Sequence, residues 1–385
     1  MSAVPFLWAL SNSMIIAVLP DIQRALDISP GRAGLLTTAL SVPTALFLPL
    51  AGVLSDRHGR RTVMVPGVLL YGFGGGIAGL SAVLAQTPYL GIIAGRVVQG
   101  IGAAGMTLVA MSFAADLFQG EERVKALGIL EASNSVGKLV SPLIGTVALT
   151  WAWHGPFWVY PILSAAGALA LVVGIDAPSG KKDEGSMQDY FQQLSLALRE
   201  RTVTVLGTYV LALITIILWF GGLYATSQRL DRAQVSRALR GMLLAIPVLV
   251  LVVTDLCATR CGRQAWFAWF IGIGLIGMSV GQWALGYVVS PYLVTLALCF
   301  GALAMGLVMP VLNSVITAAV SEGQRGAVTT TYGSLRSLGS AFGPPLFGYL
   351  WEHMGVRLFV GAAVLSLLAA VGGYIWLGRS GWDGI

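Results

Sequence analysis

Glu131, Asn134 and Lys138 recur at i, i+3 and i+7 in the segment LEASNSVGKLVSPLIGTV, a spacing that sets all three on one face of a helix. Hydrocarbon disfavours an ionised carboxylate, while a nearby cation favours it. That competition suits Glu131 to taking up and releasing a proton near the working pH. The same spacing also permits a static Glu131–Lys138 ion pair that only specifies packing. Asp21, Asp116, Asp176 and Asp255 fall at the ends of apolar stretches, where water and headgroups solvate them. Glu131 is thereby the carboxylate expected inside a span.

Two further cations lie inside apolar stretches. Arg96 stands with Gln99 in GRVVQGIGAAG, and Arg336 in TYGSLRSLGS. A charge at the bilayer centre costs about 2.5–3.5 kcal/mol, which makes such residues functional candidates. Arg96 lies roughly 12 Å from its helix end, within snorkelling range of a surface. Arg336 has backbone carbonyls or headgroups as alternative partners. Arg96, Lys138 and Arg336 outnumber Glu131 three to one. If all face a cavity, the surplus favours an anionic or zwitterionic substrate, or one rich in hydrogen-bond acceptors. Gln99 and Asn134 add polar contacts, and Trp219 and Trp283, mid-span or nearly so, add aromatic walls.

Helices in lipid must position these groups. The chain has 385 residues, 56% hydrophobic and only 10% charged, against roughly a quarter charged in a soluble domain. A soluble enzyme, a disordered chain and a nucleic-acid binder are excluded by that balance. About 20 apolar residues cross one bilayer core. Stretches of that kind predict twelve helices, at about 3–20, 33–54, 63–84, 88–114, 126–149, 157–176, 203–225, 240–256, 265–286, 290–319, 327–350 and 357–377. The first lacks a basic leading region and a cleavage site, so it reads as a membrane helix rather than a signal peptide.

Residues 1–177 and 203–385 hold six helices each, and 178–202 joins them. In that linker Lys181, Lys182, Asp183 and Glu184 precede Met187, Tyr190, Phe191, Leu194 and Leu198, whose spacing makes one apolar face on an interfacial helix. With both termini inside, thirteen basic residues fall in inside loops and the tail, and seven outside. Four of the outside seven, Arg229, Arg232, Arg237 and Arg240, crowd into 226–240 against that rule. The halves repeat: Gly59 matches Gly262 at an offset of 203, Pro142 matches Pro344 at 202, and Gly100 and Gly105 match Gly301 and Gly306 at 201. Duplicated halves around a central site are a hallmark of secondary transporters.

The loop GVLSDRHGRR, Gly52 through Arg61, resembles the signature loop of the major facilitator superfamily. In that pattern Gly52 allows close helix packing, Asp56 ends a helix, Gly59 makes the turn, and Arg57, Arg60 and Arg61 meet acidic groups and headgroups. GRVVQGIGAAG is similar to the family's second motif, whose arginine is linked to proton coupling in exporters. Gly137-x-x-x-Ser141-Pro142-x-x-Gly145 resembles the antiporter motif of proton-coupled exporters, with Ser141 and Thr146 where the family has glycine. GSAFGPPLFG carries a fuller form, with Gly339, Gly343, Pro344 and Gly348. The resemblance covers essentially the whole chain. It implies an all-α integral membrane fold of twelve transmembrane helices in two pseudo-symmetric six-helix bundles, working by alternating access.

Within the superfamily the chain is most similar to the twelve-helix drug and metabolite exporters, including the aromatic compound and drug exporter branch. The expected function is proton antiport that exports a small amphipathic molecule. Glu131 would carry the proton with Arg96 as coupling partner. Lys138, Asn134, Arg336, Gln99 and Trp219 would meet the substrate, and Asp56 with Arg60 would form the inside gate. A facilitator or importer of a small, anionic solute and a lipid-linked substrate flippase are the alternatives. No nucleophile set suggests an enzyme, and Cys257 and Cys261 lack the His or acid that would complete a metal site. The expected energy source is the proton gradient rather than a cofactor. The expected partners are substrate, protons and lipids, for a monomer in a bacterial plasma (inner) membrane.

Overall fold

A computed structural model describes residues 1–174, 186–260 and 266–379. Lys181, Lys182, Asp183 and Glu184 of the linker, and Cys261 and Gly262 of the second-half loop, lie outside the described residues. In chain order the helices are α1 (Ala3–Leu26), α2 (Pro30–His58), α3 (Arg60–Leu84), α4 (Pro88–Ala104), α5 (Thr107–Leu117), α6 (Gly120–Ala148), α7 (Gly155–Gly174), α8 (Met187–Glu200), α9 (Thr202–Arg232), α10 (Arg237–Arg260), α11 (Phe267–Tyr287), α12 (Pro291–Ala318), α13 (Glu322–Met354) and α14 (Val356–Arg379). No strand occurs among the described residues.

Ten spans are long and apolar enough to cross a membrane, with α4 and α5 contributing to one of them. The other two long helices, α6 with 29 residues and α13 with 33, are more polar. They carry Glu131, Asn134 and Lys138 in one case and Arg336 in the other. These two polar helices occupy corresponding places in the repeat.

Several boundaries differ from the expected ones. The fourth span breaks at Gly105 and Met106, where Met106 leaves helical geometry at φ −99° and ψ −82°. The seventh helix was expected to end near 225, yet α9 continues to Arg232 because its last turns find partners. Arg229 donates to the Val288 carbonyl at 2.6 Å, and Asp231 accepts from buried Arg240 at 2.6 Å. The Arg-rich stretch is therefore mostly helix rather than loop. Asp21, expected to be solvated at a helix end, is buried in α1 and paired with Arg24 at 3.0 Å.

Packing divides the chain into two units: Met1–Ser29 with Leu35–Tyr190, and Pro30–Gly34 with Phe191–Ile385. The division passes through α8 rather than falling at its ends. In the first unit α1 packs along α6, and α3 along α4 and α7. In the second, α9 packs along α13, and α11 along α12 and α14. The two sets of pairings correspond helix for helix under the sequence repeat.

The same motif makes the first of these contacts in each unit. A Cβ on Gly137 would lie 2.7 Å from the Phe6 carbonyl oxygen, and one on Gly145 would lie 3.0 Å from that of Met14. In the second unit a Cβ on Gly339 would meet Ile216 at 2.8 Å, and one on Gly343 would meet the Ile217 carbonyl oxygen at 2.9 Å. Small residues let backbones approach this closely, which drives helix association where lipid is the solvent. Pro142 and Pro344 lie inside α6 and α13 beside these contacts.

Candidate substrate and proton site

Arg96 projects from α4 into the interior of the first unit and is fully buried. Its Nε donates to the Leu36 carbonyl of α2 at 3.1 Å, Nη1 to Gln99 Oε1 at 2.8 Å, and Nη2 to the Ser11 carbonyl of α1 at 3.2 Å. The guanidinium also sits 5.6 Å from the Tyr160 ring centroid. Two hydroxyls extend this network. Tyr160 donates to the Ser11 carbonyl at 3.1 Å, and Tyr71 shares a 2.8 Å hydrogen bond with the Ser11 hydroxyl. A buried charge persists only where its donors are satisfied. Here main-chain oxygens, an amide and an aromatic face do that, with no carboxylate within ion-pair distance among the described residues.

Glu131 lies half-buried on α6 and accepts from Asn134 Nδ2 at 3.1 Å. Asn134 is buried, and its Oδ1 has no hydrogen-bond partner. An amide turned end for end would present that oxygen instead of Nδ2. Asn134 can therefore donate to an ionised Glu131 or accept from a protonated one. Lys138, one turn further along, is half-buried.

The structure does not bring Arg96 and Glu131 together. Along the α1–α6 contact, Gly137 sits level with Phe6 and Ala9, and Gly145 with Met14 and Val18. Arg96, bonded to Ser11, is therefore level with the region between those glycines. Glu131 lies about 14 Å away along the axis, at 1.5 Å per residue. The two side chains form no direct pair in this structure.

In the second unit Arg336 is half-buried on α13, 5.8 Å from the Tyr332 ring centroid. Trp219 is buried on α9, where a Cβ at Gly301 would meet its ring at 3.6 Å. Trp283 is exposed on α11 and stacks on Tyr287 at 5.0 Å.

At the α2–α3 turn Gly59 adopts φ +94°, a conformation that side chains rarely take. The turn lets Arg60 contact Asp56, donate to the Ser55 hydroxyl at 2.8 Å, and donate from Nε to Asp116 of α5 at 3.0 Å. Arg61 donates to the Val172 carbonyl at 2.9 Å. Arg57 is exposed and close enough to Asp189 of α8 to act on its titration. Gly52 departs from its expected packing role: among the described residues a Cβ there would meet nothing within 4 Å.

Sequence reasoning missed Asp116, Ser11, Tyr71 and Tyr160. The position of Asp116 at a helix end concealed its pairing, although the loop arginines called for acids nearby. For the Ser11 and Leu36 carbonyls no signal exists, since every residue carries one.

The Major Facilitator Superfamily model matches residues 1–260 and 233–381. The bacillibactin exporter of Bacillus subtilis (strain 168) is 31% identical over 374 residues, covering 96% of this chain and 93% of the relative. The class D tetracycline resistance protein of Salmonella ordonez is 28% identical, covering 96% and 94%. Among solved structures, the human organic anion transporter MFSD10 superposes with a TM-score of 0.73 at 20% identity, covering 98% of both chains. A POT family transporter in complex with 5-aminolevulinic acid gives 0.77 at 14%, covering 98% and 95%.

Proposed function

This chain belongs to the Major Facilitator Superfamily, as a transporter of the drug and metabolite exporter type, and we propose that it exports a small amphipathic molecule in exchange for protons. The observation that carries the proposal is the Glu131–Asn134 pair. It places a half-buried acid within α6 beside a buried amide able to serve either protonation state. Glu131 carries the proton. Lys138, Asn134, Arg336, Gln99 and Trp219 contribute to substrate binding, and Arg96 transmits the change in charge through its bonds to α1 and α2. The arginine loop around Arg60 holds the inside gate.

The excess of basic residues in the inside loops supports a bacterial plasma membrane protein with both termini in the cytoplasm. The energy source is the proton gradient, and the chain acts as a monomer. Substrate and proton compete, so each lowers the affinity of the other by one common factor.

Proteoliposomes with an imposed proton gradient and a pH dye inside test this reading, with tetracycline, ethidium and salicylate added one at a time. Compound-dependent proton movement is expected. Saturable uptake of a compound with no proton movement would make the protein a facilitator and overturn the antiport reading.

A further inference from the structure

Arg229 and Arg232 at the end of α9, with Arg237 and Arg240 at the start of α10, have no part in the proposed proton and substrate handling, and a positive cluster on the sparsely basic side of the topology calls for a reason. Two of the four have one within the fold, since Arg240 is buried against Asp231 and Arg229 caps the α11 end through the Val288 carbonyl. Arg229 nonetheless keeps Nη1 inside the protein with no acceptor. Arg232, one turn on and exposed, lies over the Trp351 ring at 4.5 Å, while Arg229 lies over the Phe359 ring at 6.0 Å. The two rings pack edge to face at 5.8 Å, so both guanidinium groups rest on one aromatic floor. Neither pairs with a carboxylate among the described residues.

We propose that Arg229 and Arg232, on the floor of Trp351 and Phe359, bind the phosphate of a membrane phospholipid. The cluster lies at the end of a membrane-spanning helix, the level at which headgroups and interfacial tryptophans meet. A phosphate diester supplies what both guanidinium groups lack, an anionic acceptor with several oxygens. Tyr287 at the end of α11, Val289 in the α11–α12 connection and Met354 at the end of α13 are all exposed and offer a largely apolar surface to acyl chains.

Native mass spectrometry of the delipidated full-length protein tests the site with phosphatidylglycerol, with diacylglycerol and with inorganic phosphate. Phosphatidylglycerol is retained and diacylglycerol is not, and inorganic phosphate at equal concentration does not displace the lipid. Arg232→Gln lowers phosphatidylglycerol retention about fivefold, the worth of one basic residue near an anionic surface. Arg237→Gln, an exposed arginine nearby, leaves retention unchanged. Arg229→Lys keeps a charge but loses the planar fork, and lowers retention while the protein stays folded by circular dichroism. Equal retention of diacylglycerol, displacement by inorganic phosphate, or no change in Arg232→Gln would overturn the proposal.

Discussion

Arg96 of α4 donates from Nη2 to the main-chain carbonyl of Ser11 on α1, at 3.2 Å, so that a side-chain charge is held by a neighbouring helix's backbone. With the bonds to Leu36 and Gln99, one guanidinium ties three helices of the first unit together. A group bound this way moves only if the helices move with it.

Replacing Arg96 with Ala leaves Gln99 Oε1 without its donor, whereas the Ser11 carbonyl keeps the Tyr160 hydroxyl. The cost is about 1–3 kcal/mol for the orphaned group. Arg96→Lys retains the charge but offers a single donor centre, and recovers only part of this. Thermal unfolding in detergent is expected to rank wild type above Arg96→Lys above Arg96→Ala.

Arg60 links α2 and α5 through Asp56 and Asp116 at a partly exposed site. Exposed pairs contribute about 0–1 kcal/mol, so Asp116→Asn barely alters thermal stability. Its expected effect is a several-fold loss of transport rate, measured as initial dye efflux from loaded vesicles. A large loss of stability with an unchanged rate would contradict a gating role.

Glycine substitutions separate packing from other roles. Gly137→Ala places a Cβ 2.7 Å from the Phe6 carbonyl oxygen, and overpacking of this kind costs about 1–3 kcal/mol. Gly52→Ala meets open space and changes stability by no more than about 0.5 kcal/mol. Melting temperatures of the two variants side by side check the contrast.

The Asp189 carboxyl at the start of α8 is held below the usual carboxylate range, first by the Ser186 hydroxyl and then by the Ser186 N–H. A depressed value means that this contribution to helix stability is present above the unfolded value of about 4. It is lost as pH falls through the lower, folded value. Hydrogen exchange of the peptide covering α8 is therefore expected to lose protection at acid pH, and Ser186→Ala to lose part of it at neutral pH.

Apolar length and Gly/Pro punctuation made the helices legible, because bilayer thickness fixes what a span must look like. The offsets near 202 made the repeat legible too, and with it the two polar helices. The surroundings of each charge were not legible. Asp21 and Arg240 were assigned to solvent because a charge near a helix end normally reaches it, yet each lies buried beside an opposite charge. Arg96 was read as a coupling residue from the motif it resembles, or as a side chain snorkelling to a surface, whereas it is buried on main-chain oxygens that no residue type announces. Gly52 matched a motif for close packing, yet among the described residues a Cβ there would meet nothing within 4 Å.

If Glu131 carries the exchanged proton, substrate binding displaces that proton into solution. The purified protein in weakly buffered detergent is mixed with whichever of tetracycline, ethidium or salicylate it binds, and released protons are read with a pH dye. Wild type is expected to release on the order of one proton per bound molecule, as competition between the two requires. Glu131→Gln is expected to bind the compound and release none. Proton release from Glu131→Gln equal to that of wild type would contradict the account.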